Sequence, residues 1–363
     1  MKKLLFVDPI CSFGHVNLNR VYVMKLMEAG FSIDLVLKEG YVDDLRFPRS
    51  LVRLSLPSHH FTEDYGRFRF RYNQLIILRT LKCAVDLSKY DAIFFSSYEE
   101  ISFFLSGIRG RLVLVNHANV SGLDNLVKRW FIKQVAKRGT FIVFHEFIGR
   151  RLRQFGISNV QVQPVGLSEP YAIDESVVES ALQSIDERLV SSDFRHLVFM
   201  PTGSKYSDAF TGEAIANLSF LQFLKANRIL LVIKDKRLLS RSPNVLVLNS
   251  FLSTLQYHAL FLVSTCVLMH YPSSFNYRVS GVLFECFSNK KPCLLSDIEG
   301  FRVFEKHFRY CPFYHNISEL MGALDDLLHL DECTLRAPFG GLEALSPSFE
   351  SLQSEAASAT ASR

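Results

Sequence analysis

The sequence predicts an α/β protein built from two doubly wound, Rossmann-like domains with parallel sheets. Three observations carry this. Short, continuously apolar runs recur along the chain, as strands covered on both faces do. Segments of helical periodicity alternate with them, as right-handed crossover connections require. The alternation pauses in a polar, acidic stretch at 168–193 and then restarts.

In the first half, Leu4–Val7 reads as the opening strand. A turn at Cys11–His15 follows, then a helix from Asn17 to Ala29 that Gly30 stops. Strands are expected at Phe31–Leu37, Ala92–Phe95, Leu112–Val115, Phe141–Phe144 and Val160–Val165. Helices are expected at Glu99–Leu105, Leu126–Ala136 and Ile148–Phe155. In the second half, strands are expected at Leu197–Met200, Ile229–Ile233, Val245–Leu248, Val267–Met269 and Cys293–Leu295, with helices at Ile215–Lys225, Thr254–Phe261 and Gly281–Phe287. The Ser/Ala/Glu-rich stretch from Ser346 to Arg363 is expected to fray.

A length of 363 residues suits two domains, and 48% hydrophobic residues supply two cores. With 21% charged residues the chain falls outside the disordered class. Its seven cysteines lack Cys-x-x-Cys spacing, which argues against a disulfide framework or a zinc ribbon. They read as small buried hydrophobes in a reducing compartment. The N-terminal apolar run is cut short by Asp8 and Pro9, so neither a signal peptide nor a membrane span is expected. Charge is uneven: residues 1–170 hold 24 Lys and Arg against 15 Asp and Glu. A basic half suits an anionic partner, or is an ordinary solvated surface.

In open α/β sheets, ligands bind beyond the carboxyl ends of strands, so the loops after strands are the candidates. If the two domains face one another, the site lies in the cleft between them. Phe13-Gly14-His15-Val16-Asn17 follows the first strand. Gly14 permits a tight turn, and His15 suits a general base because imidazole titrates near neutrality. A capping or packing role is the alternative for His15. The loop lacks Gly-x-Gly-x-x-Gly, which argues against a dinucleotide cofactor, and none is expected.

Asn116-His117-Ala118-Asn119 follows the Leu112–Val115 strand and is placed to bind an acceptor hydroxyl or to orient His15. Loop hydrogen bonding explains it equally well. Glu99 and Glu100, after the preceding strand, are further acid–base candidates. In the second half, Gly203, Ser204 and Lys205 can form a phosphate cradle with one cation, and Lys234 supplies another at a strand end. Ser280-Gly281 opens a helix whose N-terminus can hold phosphate. Glu285, one turn in, can accept hydrogen bonds from two ribose hydroxyls. Tyr277 and Arg278, in the loop before that helix, complete the candidate donor-binding set.

Here the residues carry a resemblance. Ser280–Gly300 is similar to the donor-binding segment of GT-B glycosyltransferases, especially the family 4 type: a small residue opening a helix, a glutamate, then Lys291-Pro292 and a strand. His145–Gly166, ending in Pro164-Val165-Gly166, resembles that family's close of the N-terminal domain. The Gly14-His15 loop resembles the first-strand loop of GT-B enzymes, where a histidine is the base of the inverting branch. Family 4 enzymes carry a second glutamate eight positions earlier, and here Tyr277 stands in its place.

The resemblance implies transfer of a sugar from a nucleotide diphosphate donor to a glycan or polyprenyl-diphosphate-linked acceptor, as in bacterial surface polysaccharide assembly. A nucleotide-sugar 2-epimerase of the same fold, or a non-catalytic membrane-associated assembly protein, is the alternative. The expected acceptor domain is 1–170, the donor domain 171–335 and the tail 336–363. No Asp-x-Asp motif is present, so a metal-independent enzyme is expected. Helix N-termini and lysines then offset the leaving charge.

Two basic runs are interleaved with aromatics: Arg67–Tyr72, continuing to Lys82, and Lys128–Phe131, continuing to Arg138. They suit the inner face of an anionic membrane. A helix with a buried aromatic face and a solvated basic face fits them too, as does single-stranded nucleic acid. The expectation is peripheral membrane contact on the cytoplasmic side, without nucleic acid.

Overall fold

The computed structural model describes residues 2–61, 67–117, 119–201 and 209–352, without the side chains of Phe13 and Arg67. The chain divides into two units: 1–168 with 277–281 and 343–363, and 169–276 with 282–342.

Unit 1 runs β1 (Lys2–Val7), α1 (Val16–Glu28), β2 (Phe31–Lys38), α2 (Tyr41–Leu45), β3 (Val52–Leu56), α3 (Arg67–Ala84) and β4 (Ala92–Phe95). It continues with α4 (Glu100–Ser106), β5 (Leu112–Val115), α5 (Leu126–Ala136), β6 (Gly139–Val143), α6 (Glu146–Gln154) and β7 (Val160–Val162). The strands form one sheet in the order β3-β2-β1-β4-β5-β6-β7, and every pairing is parallel. The order in which successive strands are laid down across the sheet reverses between β1 and β4. That switch point is where two neighbouring loops part to opposite faces and leave a crevice.

Strands buried on both faces explain the unbroken apolar runs: Leu4 through Val7 and Ala92 through Phe95 are all inaccessible. The sequence reading passed over β3, whose alternation of half-buried and exposed residues is that of an edge strand. In α3 the aliphatic residues Ile77, Leu78 and Leu81 make the buried face, while Phe68 and Tyr72 are exposed. A buried aromatic face therefore does not describe this helix.

The C-terminal segment returns to unit 1. Phe349 and Leu352 lie in its core, although composition predicted fraying from Ser346. Phe349 meets Tyr22 and Phe94 edge-on, with ring centroids 5.1 and 5.8 Å apart. Gly166 makes room for this return. Its φ is +85°, and a Cβ there would stand 2.4 Å from Val21 and 3.0 Å from Pro347.

Unit 2 runs α7 (Glu175–Gln183), β8 (His196–Met200), α8 (Phe210–Ala216), α9 (Leu218–Ala226), β9 (Ile229–Lys234), β10 (Val245–Leu248) and α10 (Thr254–Val263). It continues with β11 (Cys266–Met269), α11 (Gly281–Asn289), β12 (Cys293–Ser296), α12 (Glu299–Arg302), β13 (Phe313–Tyr314), α13 (Ile317–Leu328) and α14 (Glu332–Arg336). Its parallel sheet has the order β10-β9-β8-β11-β12-β13, with the switch point between β8 and β11.

The acidic stretch at 168–193 holds α7, whose Ala181 and Leu182 pack into the unit 2 core. The single helix expected at Ile215–Lys225 is two, because the Asn217 side chain accepts from Phe220 N–H and caps α9. Four cysteines are buried as expected, but Cys83, Cys311 and Cys333 are exposed. Among the described residues, no helix is long and apolar enough to cross a membrane.

Candidate active site

At the unit 1 switch point, Asp8 directly follows β1, and Ser96 and Ser97 directly follow β4. Asp8 is inaccessible to solvent yet carries a carboxylate. Four donors surround it. Ile10 N–H donates to Oδ1 at 3.0 Å and Ser97 Oγ at 2.5 Å. Asn19 Nδ2, from the first turn of α1, donates to Oδ2 at 2.6 Å, and His15 Nδ1 stands 3.4 Å from that oxygen. Burial alone would raise the pKa of Asp8. The His15 imidazole 3.4 Å away and the bond from Ser97 outweigh it and hold the carboxyl well below its usual range.

The loop between Asp8 and His15 is fastened residue by residue. Cys11 takes the left-handed conformation, with φ +44°, and its thiol donates to Asp8 O. Ser12 O accepts both His15 N–H and the Tyr41 hydroxyl. Gly14 N–H is held by Ser12 Oγ. Gln74 Nε2 on α3 donates to Pro9 O at 2.6 Å. His15 precedes α1, but its side chain makes no capping hydrogen bond. Its Nδ1 is buried and faces only the Asp8 carboxylate. A buried Nδ1 turned to a carboxylate keeps its proton there, which leaves Nε2 as the basic nitrogen.

His117 joins the pair. Its ring stacks on His15 with centroids 4.5 Å apart and planes 20° from parallel, and its edge meets Phe144. His117 Nε2 lies 2.7 Å from Ser96 O. A carbonyl only accepts, so Nε2 carries the hydrogen. Burial and the neighbouring His15 push the His117 pKa down to about 3. His117 thus stays neutral at neutral pH.

A pH prediction follows from that shift. Unfolded, His117 would titrate near the ordinary histidine value of about 6.5. Below it the unfolded chain binds a proton the folded chain refuses, so stability falls as pH drops from 6.5 toward 3, by on the order of 1 kcal/mol per pH unit. Denaturation midpoints measured between pH 7 and pH 4 should decline for the native protein and flatten in His117→Gln. Parallel declines in both would remove His117 as the cause.

The other predicted residues of unit 1 are otherwise engaged. Glu99 caps α4: its Oε2 accepts from Ser102 N–H and Oγ, and its Oε1 pairs with Arg71 at 2.8 Å. Both oxygens are used, and Glu99 is not brought to His15. Glu100 pairs with Lys128 at 3.0 Å and accepts from Asn119. Asn116 accepts from the Tyr98 hydroxyl at 2.6 Å. Tyr277 stacks on Phe147 at 5.7 Å under the Arg151 guanidinium, and Arg278 Nε donates to Ser121 Oγ at 3.4 Å. Both belong to the 277–281 segment counted with unit 1, as do the exposed Gly281 and the buried Ser280. A Cβ on Gly281 would come within 3.9 Å of Gly14 O.

In unit 2, Glu285 lies one turn into α11 and its Oε2 accepts from the Tyr257 hydroxyl at 2.7 Å. Burial and the Glu285 charge push the Tyr257 pKa up, so that hydroxyl stays a donor. Lys234 closes β9 and sets its ammonium 5.1 Å from the ring centroid of Phe251. Gly203, Ser204 and Lys205 lie outside the described residues.

Sequence reasoning missed Asp8 and Ser97. The available signal was a polar side chain directly after each of two apolar strands. Nothing in the sequence made those strands neighbours.

No family model matches the chain, and no curated protein matches it in sequence. Its structure is that of the GT-B fold, two doubly wound parallel-sheet units in one chain. It is similar to Anabaena HepE in complex with UDP and glucose, at a TM-score of 0.62 and 12% identity over 100% of both chains. Sucrose-phosphate synthase from Thermosynechococcus elongatus matches at 0.60 and 12% identity, over 100% of this chain and 99% of that one. A Listeria monocytogenes protein described as a UDP-N-acetylglucosamine 2-epimerase matches at 0.60 and 10% identity, covering 98% and 94%. At such identities the likeness is one of fold.

Proposed function

We propose that the protein is a glycosyltransferase that moves a sugar from a nucleoside diphosphate donor to a hydroxyl of a glycan or lipid-linked acceptor. One observation carries this: a buried, ionised Asp8 faces His15 Nδ1 at the switch point of unit 1. In the reaction, His15 Nε2 takes the proton of the acceptor hydroxyl. The oxygen attacks the anomeric carbon, and the bond to the diphosphate breaks with inversion. Asp8 stabilises the imidazolium so formed. The fold shared with HepE, whose structure holds UDP and glucose, supports a donor of this kind.

We assign donor binding to unit 2, with Glu285 on the ribose and Lys234, Lys205 and the start of α11 offsetting the diphosphate charge without a metal. A thermal-shift screen across nucleotide sugars identifies the donor. Glu285→Ala should then weaken its binding by about tenfold to a hundredfold in calorimetry, the worth of hydrogen bonds to a charged group. Unchanged binding would remove Glu285 from the site. Conversion of the nucleotide sugar to its 2-epimer without acceptor would instead make the protein an epimerase.

A further inference from the structure

Helices α3, α4 and α5 of unit 1 pack side by side. Together α3 and α5 carry eight Lys and Arg and no Asp or Glu. Arg71 and Lys128 are paired with Glu99 and Glu100. Among the cations stand exposed apolar side chains: Phe68 at 86%, Leu126 at 75% and Trp130 at 50% exposure, with Tyr72, Leu105 and Val127 beside them.

At the far end of these helices a cavity of about 640 Å³ opens. Lys82, Arg109 and Arg138 line it above Val85 and Leu87. Its one acid, Asp86, is turned to Ser88 N–H and Oγ. Arg109 and Arg138 therefore crowd each other without a carboxylate between them, and burial with this repulsion lowers the Arg138 pKa. The Arg138 guanidinium lies 4.4 Å from the Phe104 ring centroid, and Phe104 meets Trp130 at 5.3 Å. Phe104 thus joins Arg138 at the cavity to the exposed Trp130.

Crowded cations and exposed hydrocarbon are both unfavourable in water. A surface that places phosphates above hydrocarbon relieves both at once. Nucleic acid would meet the cations but leave Leu126, Val127 and Leu105 without a partner. We propose that the α3–α4–α5 face docks on an anionic phospholipid bilayer, and that the Lys82–Arg109–Arg138 cavity takes a lipid phosphate headgroup. This does not rest on the transferase reading.

The test is flotation of the full chain with phosphatidylcholine vesicles, with and without phosphatidylglycerol. The native protein should float only with phosphatidylglycerol, and less as salt screens the charges. The doubly substituted Lys82→Glu, Arg109→Glu protein should bind at least about tenfold more weakly, since each cation near such a surface is worth about fivefold. Trp130→Ser with Leu126→Ser should weaken binding at unchanged charge. All four side chains are at least half exposed or at the surface, and circular dichroism confirms that the variants fold. No flotation at low salt, or equal flotation on phosphatidylcholine alone, would overturn the docking. Full binding by the charge-reversed variant would overturn the headgroup site. Capture of single-stranded DNA without flotation would give the face to nucleic acid.

Discussion

His15→Gln is expected to slow sugar transfer by about a hundredfold to ten-thousandfold, the range a positioned general base contributes. Donor affinity should not change, because His15 is not among the proposed donor contacts. Asp8→Asn is expected to lose a comparable factor by another route. The amide sets an N–H₂ group among Ile10 N–H, Ser97 Oγ, Asn19 Nδ2 and His15 Nδ1, all of which point donors at this position. It also removes the charge that stabilises a protonated His15. The two variants separate by stability. Asp8→Asn disturbs a fully buried network and should lower unfolding free energy by about 3 kcal/mol. His15 is partly accessible, and its replacement should cost little. Single-turnover rates with the identified donor and acceptor, beside urea denaturation, read both quantities. A His15→Gln protein that still transfers at the native rate would dismiss the histidine as base.

Phe349→Ala is expected to destabilise unit 1 by about 3–5 kcal/mol, the usual cost of emptying a buried phenylalanine site. The ring is 1% exposed and packs on Tyr22 and Phe94, directly beneath the strands that carry Asp8 and Ser97. Truncation after Leu345 should cost at least as much. It also removes Leu352, the Ser348 N–H bond to Gln163 and the Arg111 bond to Leu352 O. The chain's single tryptophan, Trp130, lies in unit 1, so its fluorescence reports that unit's unfolding in denaturant. A truncated chain with the native midpoint would show that this segment is dispensable to the core.

The elements were legible where one physical cause acted locally. Strands buried on both faces must be apolar throughout, and Leu4–Val7, Ala92–Phe95 and Leu112–Val115 were read from that alone. The edge strand β3 and the helix α7 escaped because their patterns are half polar. In the site, His15 and His117 were legible as titratable residues after strands. Glu99 looked equally fit for catalysis. Whether a carboxylate after a strand caps a helix or faces substrate depends on where its oxygens point, and a capping glutamate has the same sequence signature.

By itself the sequence determined that the chain alternates strand and helix twice over, and that a glycine and a histidine follow its first strand. These are local consequences of apolar periodicity and turn chemistry. Tertiary structure alone decided that β1 lies beside β4, so that Asp8 and Ser97, 89 residues apart, share a hydrogen bond under His15. It alone brought Phe349 back into the first core. Strand pairing and tail docking are settled by which surfaces bury together, and that is a property of distant segments jointly rather than of either one.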